Sequence, residues 1–544
     1  MEGVRKIRPA ISLVGWAAAA YCGMLVAGPV FAAGAPLGVG ERLYRDGILP
    51  DGTLLRGNRD NGTPMTGAAA ACTNCHRRSG LGSFEGTTVV PPIIGKYLFR
   101  GRQANVQDMS LPHIPGYVPN REAYTDESLA AAIRTGVAPG GRTLSYLMPR
   151  YALDDATLQD LDAYLKQLTT DSVPGVSETT LDFATIITPD ADAVARQGML
   201  NVLEHFVAGQ NRIIAAEVRP MKASREIMYR VTRRWQLHVW NLTGAPGTWR
   251  RQLEAKLAAN PVFAVISGLG AHSWQPVHEF CEAQAIPCLF PNVDLPVVAE
   301  QNFYPVYFNR GVFLEADLIA HGLPAGGRVL QVFGTDDIGA AAASALRESE
   351  RAKGVQVVDH AFSGDARAAM HQVLSESHAG DRLVLWLRNA DLRAVPQHLH
   401  AGVEVYASGL MAGLENAAPP QDWRQHFHMA YPFDLPDARR VRMNFPLGWM
   451  RVQGIPVVDE RVQSDTYLAC QILSEALGHM LDSFVRDFLL ERLEAMLSSR
   501  LVSAYYPRLG LAPGQRFASK GGYLVHFVAS QGTAIAPDDG WTVP

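Results

Sequence analysis

Residues 262–270 read Val-Phe-Ala-Val-Ile-Ser-Gly-Leu-Gly, and a helical run from Trp274 to Ala285 follows. The apolar run does not alternate with polar residues, which suits a strand buried on both faces. Cys288-Leu289-Phe290 then starts another such run. Upstream, Phe183 to Ile187 is strand-like and precedes a helix through Leu200 to Phe206. Downstream, Val329–Phe333, Val355–Val358, Leu383–Leu387 and Val403–Tyr406 each adjoin a helical stretch. Short buried strands spaced by helices imply βαβ units and parallel sheets. The stretch 179–544 is too long for one such sheet, so two α/β lobes are expected.

Composition agrees with a folded chain. Of 544 residues, 47% are hydrophobic and 19% charged, with a formal net charge of −4. That balance argues against a nucleic-acid binder, which carries a basic excess. Six Cys are too few for a disulfide scaffold of this length.

The first 32 residues differ from the rest. Arg5, Lys6 and Arg8 precede an apolar stretch from Ile11 to Val26, and Val30-Phe31-Ala32 fits a small-residue cleavage site. This is the pattern of a signal peptide, so residues 1–32 are expected to be removed on export to the periplasm. After that cleavage no membrane insertion is expected, because no later apolar run approaches the ~20 residues a bilayer requires. Residues 171–178, Asp-Ser-Val-Pro-Gly-Val-Ser-Glu, have the composition of a linker. They divide segment 37–170 from segment 179–544.

Segment 37–170 carries Cys72-Thr73-Asn74-Cys75-His76. This is C-x-x-C-H, the attachment pattern of a c-type haem. Two thiols at this spacing reach the two vinyl groups of one porphyrin, and the adjacent imidazole reaches the iron. No second Cys pair completes a zinc site, and no βαβ pattern suggests a thioredoxin-like motif. One covalent haem c is therefore expected on Cys72 and Cys75, with His76 as an axial ligand. A low-spin electron carrier takes Met as its other ligand. Met148, followed by Pro149, is the leading candidate, with Met109 and Met65 behind it. Asp154 then stands as an N-cap, and Leu158, Leu161, Leu165 and Leu168 form one helical face able to pack on a helix around Glu41–Arg45. Arg77 and Arg78 read either as a basic rim at the haem or as solvated charges.

These motifs, with the Gly80 loop, the Tyr124-Thr125-Asp126-Glu127 helix start and Met148-Pro149-Arg150-Tyr151, make segment 37–170 resemble the class I cytochromes c. The resemblance implies an α-helical haem domain that passes single electrons to or from a periplasmic dehydrogenase or oxidase. Residues 80–122 lie outside a minimal domain of that kind.

Within segment 179–544, residues 179–535 resemble the type I periplasmic solute-binding proteins of the branched-chain amino-acid transporter family. The resemblance rests on VFAVISGLG (262–270), AIPCLFPNVDL (285–295), YFNRGVFLEAD (307–317), VLQVFGTDDIG (329–339), VYASG (405–409) and SDTYLACQILSEAL (464–477). It implies two α/β lobes with a small-molecule ligand in the cleft between them, and an ABC permease as a partner. It places ligand contacts at the turn carrying His272 and Ser273 and at the strand end carrying Asn292 and Asp294. A helix N-terminus there favours a carboxylate on the ligand. The bulk of His272 and Trp274 and the charge of Asp294 depart from the family's small residues. Ser273 has a second reading as a helix N-cap, and Asp294 as a loop residue.

In an oxidising compartment Cys281 and Cys288, seven apart, are expected to form a disulfide, leaving Cys470 as a buried thiol. The pairs His278 with Cys281, His398 with His400, and His426 with His428 show no third metal ligand in sequence. No catalytic residue is assigned. Two functions follow: a periplasmic electron carrier bearing a solute-sensing domain, or a transport receptor bearing an accessory redox haem.

Overall fold

The computed structural model describes residues 38–100, 122–169, 173–217, 233–299, 302–480 and 483–544. The expected signal peptide, most of residues 80–122 past Arg100, and Met109 lie outside the described residues.

The N-terminal segment opens with helix α1 (Val39–Asp46), strands β1 (Arg56–Asn58) and β2 (Pro64–Thr66), and one helical turn, α2 (Thr73–His76). Hairpin strands β3 (Ser83–Glu85) and β4 (Thr88–Val90) follow. Then come α3 (Gly95–Leu98), α4 (Asp126–Thr135), β5 (Arg150–Tyr151) and α5 (Asp155–Gln167). Asp154 caps α5 by accepting the Thr157 N–H at 2.8 Å, and α5 buries Leu158, Leu161 and Leu165. α1 packs on α5. They approach so closely that a Cβ on Gly40 would lie 2.1 Å from the Asp160 carbonyl oxygen. The sequence anticipated only helices here. The structure adds the antiparallel sheet β2-β1-β5 and the β3–β4 hairpin. These strands are two or three residues long, too short to leave a periodic signature.

The first lobe holds β6 (Thr180–Ile187), α6 (Ala193–Glu217), β7 (Arg234–Asn241), α7 (Trp249–Ala259), β8 (Ala264–Ile266), α8 (Gln275–Ala283), β9 (Cys288–Leu289) and β10 (Pro305–Val306). Its sheet is parallel, in the order β10-β9-β8-β6-β7.

The second lobe holds α9 (Val312–Gly322), β11 (Arg328–Gly334), α10 (Gly339–Ala352), β12 (Gln356–Phe362), α11 (Ala366–Glu376), β13 (Arg382–Trp386), α12 (Asn389–Ala394), β14 (Glu404–Ser408), α13 (Gly409–Ala412) and β15 (Phe427–Tyr431). The chain continues through α14 (Pro436–Gln453). It returns to the first lobe with α15 (Glu460–Met480) and α16 (Arg486–Met496), and α15 packs on α6. It ends in β16 (Tyr523–Phe527) and β17 (Ile535–Pro537). These two strands add antiparallel to a sheet in the order β12-β11-β13-β14-β15-β16-β17. Among the described residues no helix is long and apolar enough to cross a membrane.

Residues 36–544 form one compact unit. Leu81, Ile94 and Tyr97 of the N-terminal segment share a core with Leu181, Phe183 and Phe263 of the first lobe. The stretch read as a linker is packed too. The Asp182 N–H donates to the Gly175 carbonyl at 2.8 Å. A Cβ on Gly175, whose φ is 80°, would meet the Phe263 nitrogen at 2.1 Å.

Candidate functional site

Two sites emerge, one in the N-terminal segment and one between the lobes. In the first, the α2 turn sets Cys72, Cys75 and His76 at i, i+3 and i+4, so all three share a helix face. They line an apolar cavity of about 420 Å³ together with Met148, Met65 and Tyr151. That volume falls in the ~300–1,000 Å³ range of cofactor and ligand sites. Cys72 is a free thiol. Burial pushes the Cys72 thiol up to about 12, so it stays protonated.

The His76 ring sits inside the protein but faces this cavity. Burial outweighs its contact with the Pro91 carbonyl and lowers its pKa to about 4, so the imidazole is neutral. Nδ1 lies 3.0 Å from the Pro91 carbonyl oxygen. With the proton on Nδ1, Nε2 is left as the ligating nitrogen, oriented by its backbone partner. Arg59 and Arg142 also line the cavity, and the buried Arg59 Nε has no hydrogen-bond partner. The donor set of two thiols, a neutral imidazole, a thioether and an unpaired cationic nitrogen fits a covalent haem. Met148 and Met65 both border the cavity, so two thioethers stand where the sequence ranked them first and third.

Arg77 and Arg78 are held by partners within the protein and are not simply solvated. Arg77 adopts φ 65°, its carbonyl accepts from the Tyr44 hydroxyl at 2.7 Å, and its guanidinium pairs with Glu494 on α16. Glu494 also pairs with Arg516 at 2.9 Å. Arg78 stacks over Phe303, 4.0 Å from the ring centre. Glu491 accepts from the Ser79 N–H at 2.8 Å and the Ser79 hydroxyl at 2.6 Å. The loop just after the haem motif is thus riveted to the first lobe.

The second site follows from sheet topology, since ligands bind beyond the carboxyl ends of parallel strands. The turn after β8 passes through Ser267, a non-glycine residue at φ 56°. Asn292 is buried and holds this turn. Its Nδ2 donates to Ser267 Oγ at 2.9 Å, Thr466 Oγ1 at 3.2 Å and the Gly268 carbonyl at 3.3 Å. Its Oδ1 is buried without a partner. Asp294 pairs with Arg461 of α15 at 3.2 Å. Asn292, Asp294, Arg461, Asp465 and Tyr506 border a polar cavity of about 20 Å³, the size of one water. Asp465 is raised to about 7, chiefly by burial. Its Oδ2 accepts from the Tyr506 hydroxyl at 3.2 Å, and its Oδ1 has no partner.

His272 lies at the mouth of the cleft, apart from this cavity. Its N–H and Nδ1 face Asp190 Oδ2 at 3.0 and 2.8 Å. The N–H that the sequence offered to a ligand carboxylate is therefore taken by the protein's own carboxylate. His272 Nε2 lies 3.7 Å from Asp337 of the second lobe. Asp337 in turn accepts two bonds from Arg388, at 2.7 and 2.6 Å. Burial raises the Asp337 carboxyl, but Arg388 outweighs it and holds the pKa below the ordinary value. Ser273 is not the N-cap of α8, because Trp274 holds that position. Trp274 is buried against Gly268 and Gly270. Cys281 and Cys288 are joined by a disulfide with Cα atoms 6.2 Å apart, and Cys470 is a buried free thiol.

Asp190, Asp337, Arg388, Arg461 and Asp465 escaped the sequence reading. Each follows a strand or sits on a helix far along the chain, and only the fold brings them together. The one available signal was position: Asp190 and Asp337 come within a few residues of the ends of β6 and β11.

No protein-family model and no curated protein matches the chain. Among solved structures, a branched-chain amino-acid ABC transporter protein from Thermus thermophilus with bound valine is similar at a TM-score of 0.50 and 12% identity. The match covers 67% of this chain and 97% of that one. The fold is that of a type I periplasmic binding protein. Also similar are a fatty acid ABC transporter substrate-binding protein from Thermomonospora curvata and a leucine binding protein from Thermotoga maritima. The first has a TM-score of 0.49 and 12% identity, covering 69% of this chain and 95% of that one. The second has a TM-score of 0.44 and 13% identity, covering 67% and 99%.

Proposed function

We propose that this protein is an exported solute-binding receptor of the ABC-transporter type, carrying a covalent c-type haem on its N-terminal segment. The observation behind the receptor reading is the pair of α/β lobes, with their strand ends facing across a cleft, in the fold shared with the valine-bound Thermus thermophilus protein. The lining supports a small polar solute rich in donors, such as an amine or alcohol, because the cavity is bordered by the acceptors Asn292, Asp294 and Asp465 against one cation, Arg461, which Asp294 already pairs. The contact between His272 and Asp337 joins the two lobes, so it opens to admit a ligand and re-forms as the lobes close over it. Calorimetry of the full chain against small amines, amides, alcohols and organic acids, with X-ray scattering on each mixture, tests this. A saturable ligand with a change in radius of gyration is expected. Heat-silent mixtures and constant dimensions across the panel contradict it.

A second reading, that the chain is an electron carrier, is supported by Cys72, Cys75, His76 and Met148 bordering one cavity. Haem bound there would supply one-electron chemistry. The Cys72 and Cys75 thiols would anchor it, His76 would offer the nitrogen that Pro91 leaves free, and Met148 would offer a thioether, which raises the potential. The apolar walls exclude water. Replacing Met148 with Ala is expected to lower the reduction potential and abolish the thioether–iron absorption. An unchanged spectrum would move the ligand role to Met65.

A further inference from the structure

Helix α14 has two faces, and one of them is already used by the core. Arg439, Met443, Pro446 and Met450 recur at helical spacing and are buried. Trp449 extends that contact, its ring centre 6.0 Å from that of Phe206 on α6 and 5.0 Å from that of Tyr467 on α15. The opposite face carries Ala438, Val441, Phe445, Gly448 and Val452. Their spacing is 3, 4, 3 and 4, that of the a and d positions of a coiled-coil seam. Val441 is 68% exposed, Phe445 52% and Val452 81%. Single exposed apolar side chains are ordinary, but three in line along one seam mark an interaction surface.

Gly448 is a second, independent sign. Glycine weakens a helix interior relative to alanine, and the chain's own packing does not require it, since a Cβ there would meet nothing within 4 Å. The notch it leaves in the seam lets another helix approach closely.

The flanking charges select the partner. Arg439 and Arg442 pair with Glu415 and Asp434 of the same chain. Asp437, Asn444 and Arg451 are exposed along one edge of the seam, seven residues apart. Among the described residues, the Asp437 and Arg451 side chains form no ion pair. An edge that is acidic at one end, neutral in the middle and basic at the other is complementary to itself reversed. Two copies of α14 laid antiparallel set Asp437 of each beside Arg451 of the other, with the two Asn444 amides between them. The same register sets Phe445 of each copy on Val441 of the other, and Ala438 on Gly448. A parallel pair would set like charges level with each other instead.

We propose that α14 is a self-association surface, through which two copies of this chain pair antiparallel about a two-fold axis near Asn444. The seam is about four helical turns long, small beside the ~1,600 Å² of a standard interface, so the dimer is weak and forms in the micromolar range. None of its residues borders the cavity between the lobes or the cavity at Cys72, so the seam covers neither.

The test is sedimentation equilibrium of the secreted full chain from low to high micromolar concentration. A reversible monomer–dimer equilibrium is expected. Phe445→Glu places a charge in the middle of the seam and raises the dimer dissociation constant at least ~10-fold, with the monomer's Tm unchanged because the side chain lies outside the core. Should that variant fail to fold, Val441→Glu carries the same comparison. Asp437→Arg alone weakens pairing, and adding Arg451→Asp to it restores pairing. A wild-type chain that stays monomeric throughout leaves the seam to a different protein and overturns the proposal, as does a Phe445→Glu chain that dimerises as tightly as the wild type. Pairing that the charge swap fails to restore overturns the antiparallel register.

Discussion

The N-terminal segment and the cleft between the lobes were legible in opposite ways. In the first, five consecutive letters raised the expectation of haem chemistry, while the surrounding fold was half hidden. In the second, the alternation of strands and helices gave the architecture, while the site residues were mostly missed. The difference is one of range. A covalent haem would draw two thioether bonds and an iron ligand from one helical turn, and Cys72, Cys75 and His76, the residues proposed to hold it, are neighbours in sequence. A cleft between parallel sheets collects its polar groups from strand ends far apart in the chain. Asp190, Asp337 and Arg388 meet around His272 only after folding.

The two regions also differ in how charge is buried. At the haem segment, Arg77, Glu494 and Arg516 form a chain with Glu494 almost wholly enclosed. At the cleft mouth, the His272 ring is half exposed. The largest effect is therefore expected at the N-terminal segment. Replacing Arg77 with Ala leaves the Glu494 carboxylate with Arg516 as its remaining cation and should cost about 1.5–3 kcal/mol in urea unfolding. A loss below about 1 kcal/mol would mean that the segment is held by apolar contacts alone.

An intermediate effect comes from the second lobe. Glu315 is buried on α9, accepts from the Leu410 N–H at 2.8 Å and from the Ser408 hydroxyl, and is pushed up to about 8, chiefly by burial. A carboxyl raised in the folded state stabilises fully below its unfolded pKa near ~4.3, and that stability is lost as pH rises toward 8. Unfolding midpoints between pH 5 and 8 should fall for the wild type and fall less for a Glu315→Gln chain. Equal slopes would assign the pH dependence to other groups such as Asp465.

The smallest effect belongs to His272. An exposed bridge of this kind is worth about 0–1 kcal/mol. A His272→Ala chain should keep its Tm within a few degrees, while its scattering profile shifts slightly toward an open form. A large loss of Tm would make His272 part of the core and end its role as a cleft contact.

What stayed hidden in sequence has physical reasons. β7 lies at the edge of its sheet with only Trp235 and Trp240 buried, so Arg234 to Asn241 lacks the continuous apolar run that marked β8. β16 and β17 break the parallel rule by adding antiparallel at the far edge, beside β15. Arg77 and Arg78 looked solvated because nothing nearby in sequence is acidic. Their partners Glu494 and Phe303 lie hundreds of residues away.

Intact mass spectrometry of the chain, secreted from a host that attaches c-type haem, tests the central claim most directly. One added haem is expected in the wild type and none when Cys72 and Cys75 are changed to Ala. An unmodified wild-type mass would contradict it and leave a two-lobed binding protein with an empty hydrophobic pocket at its N-terminal end.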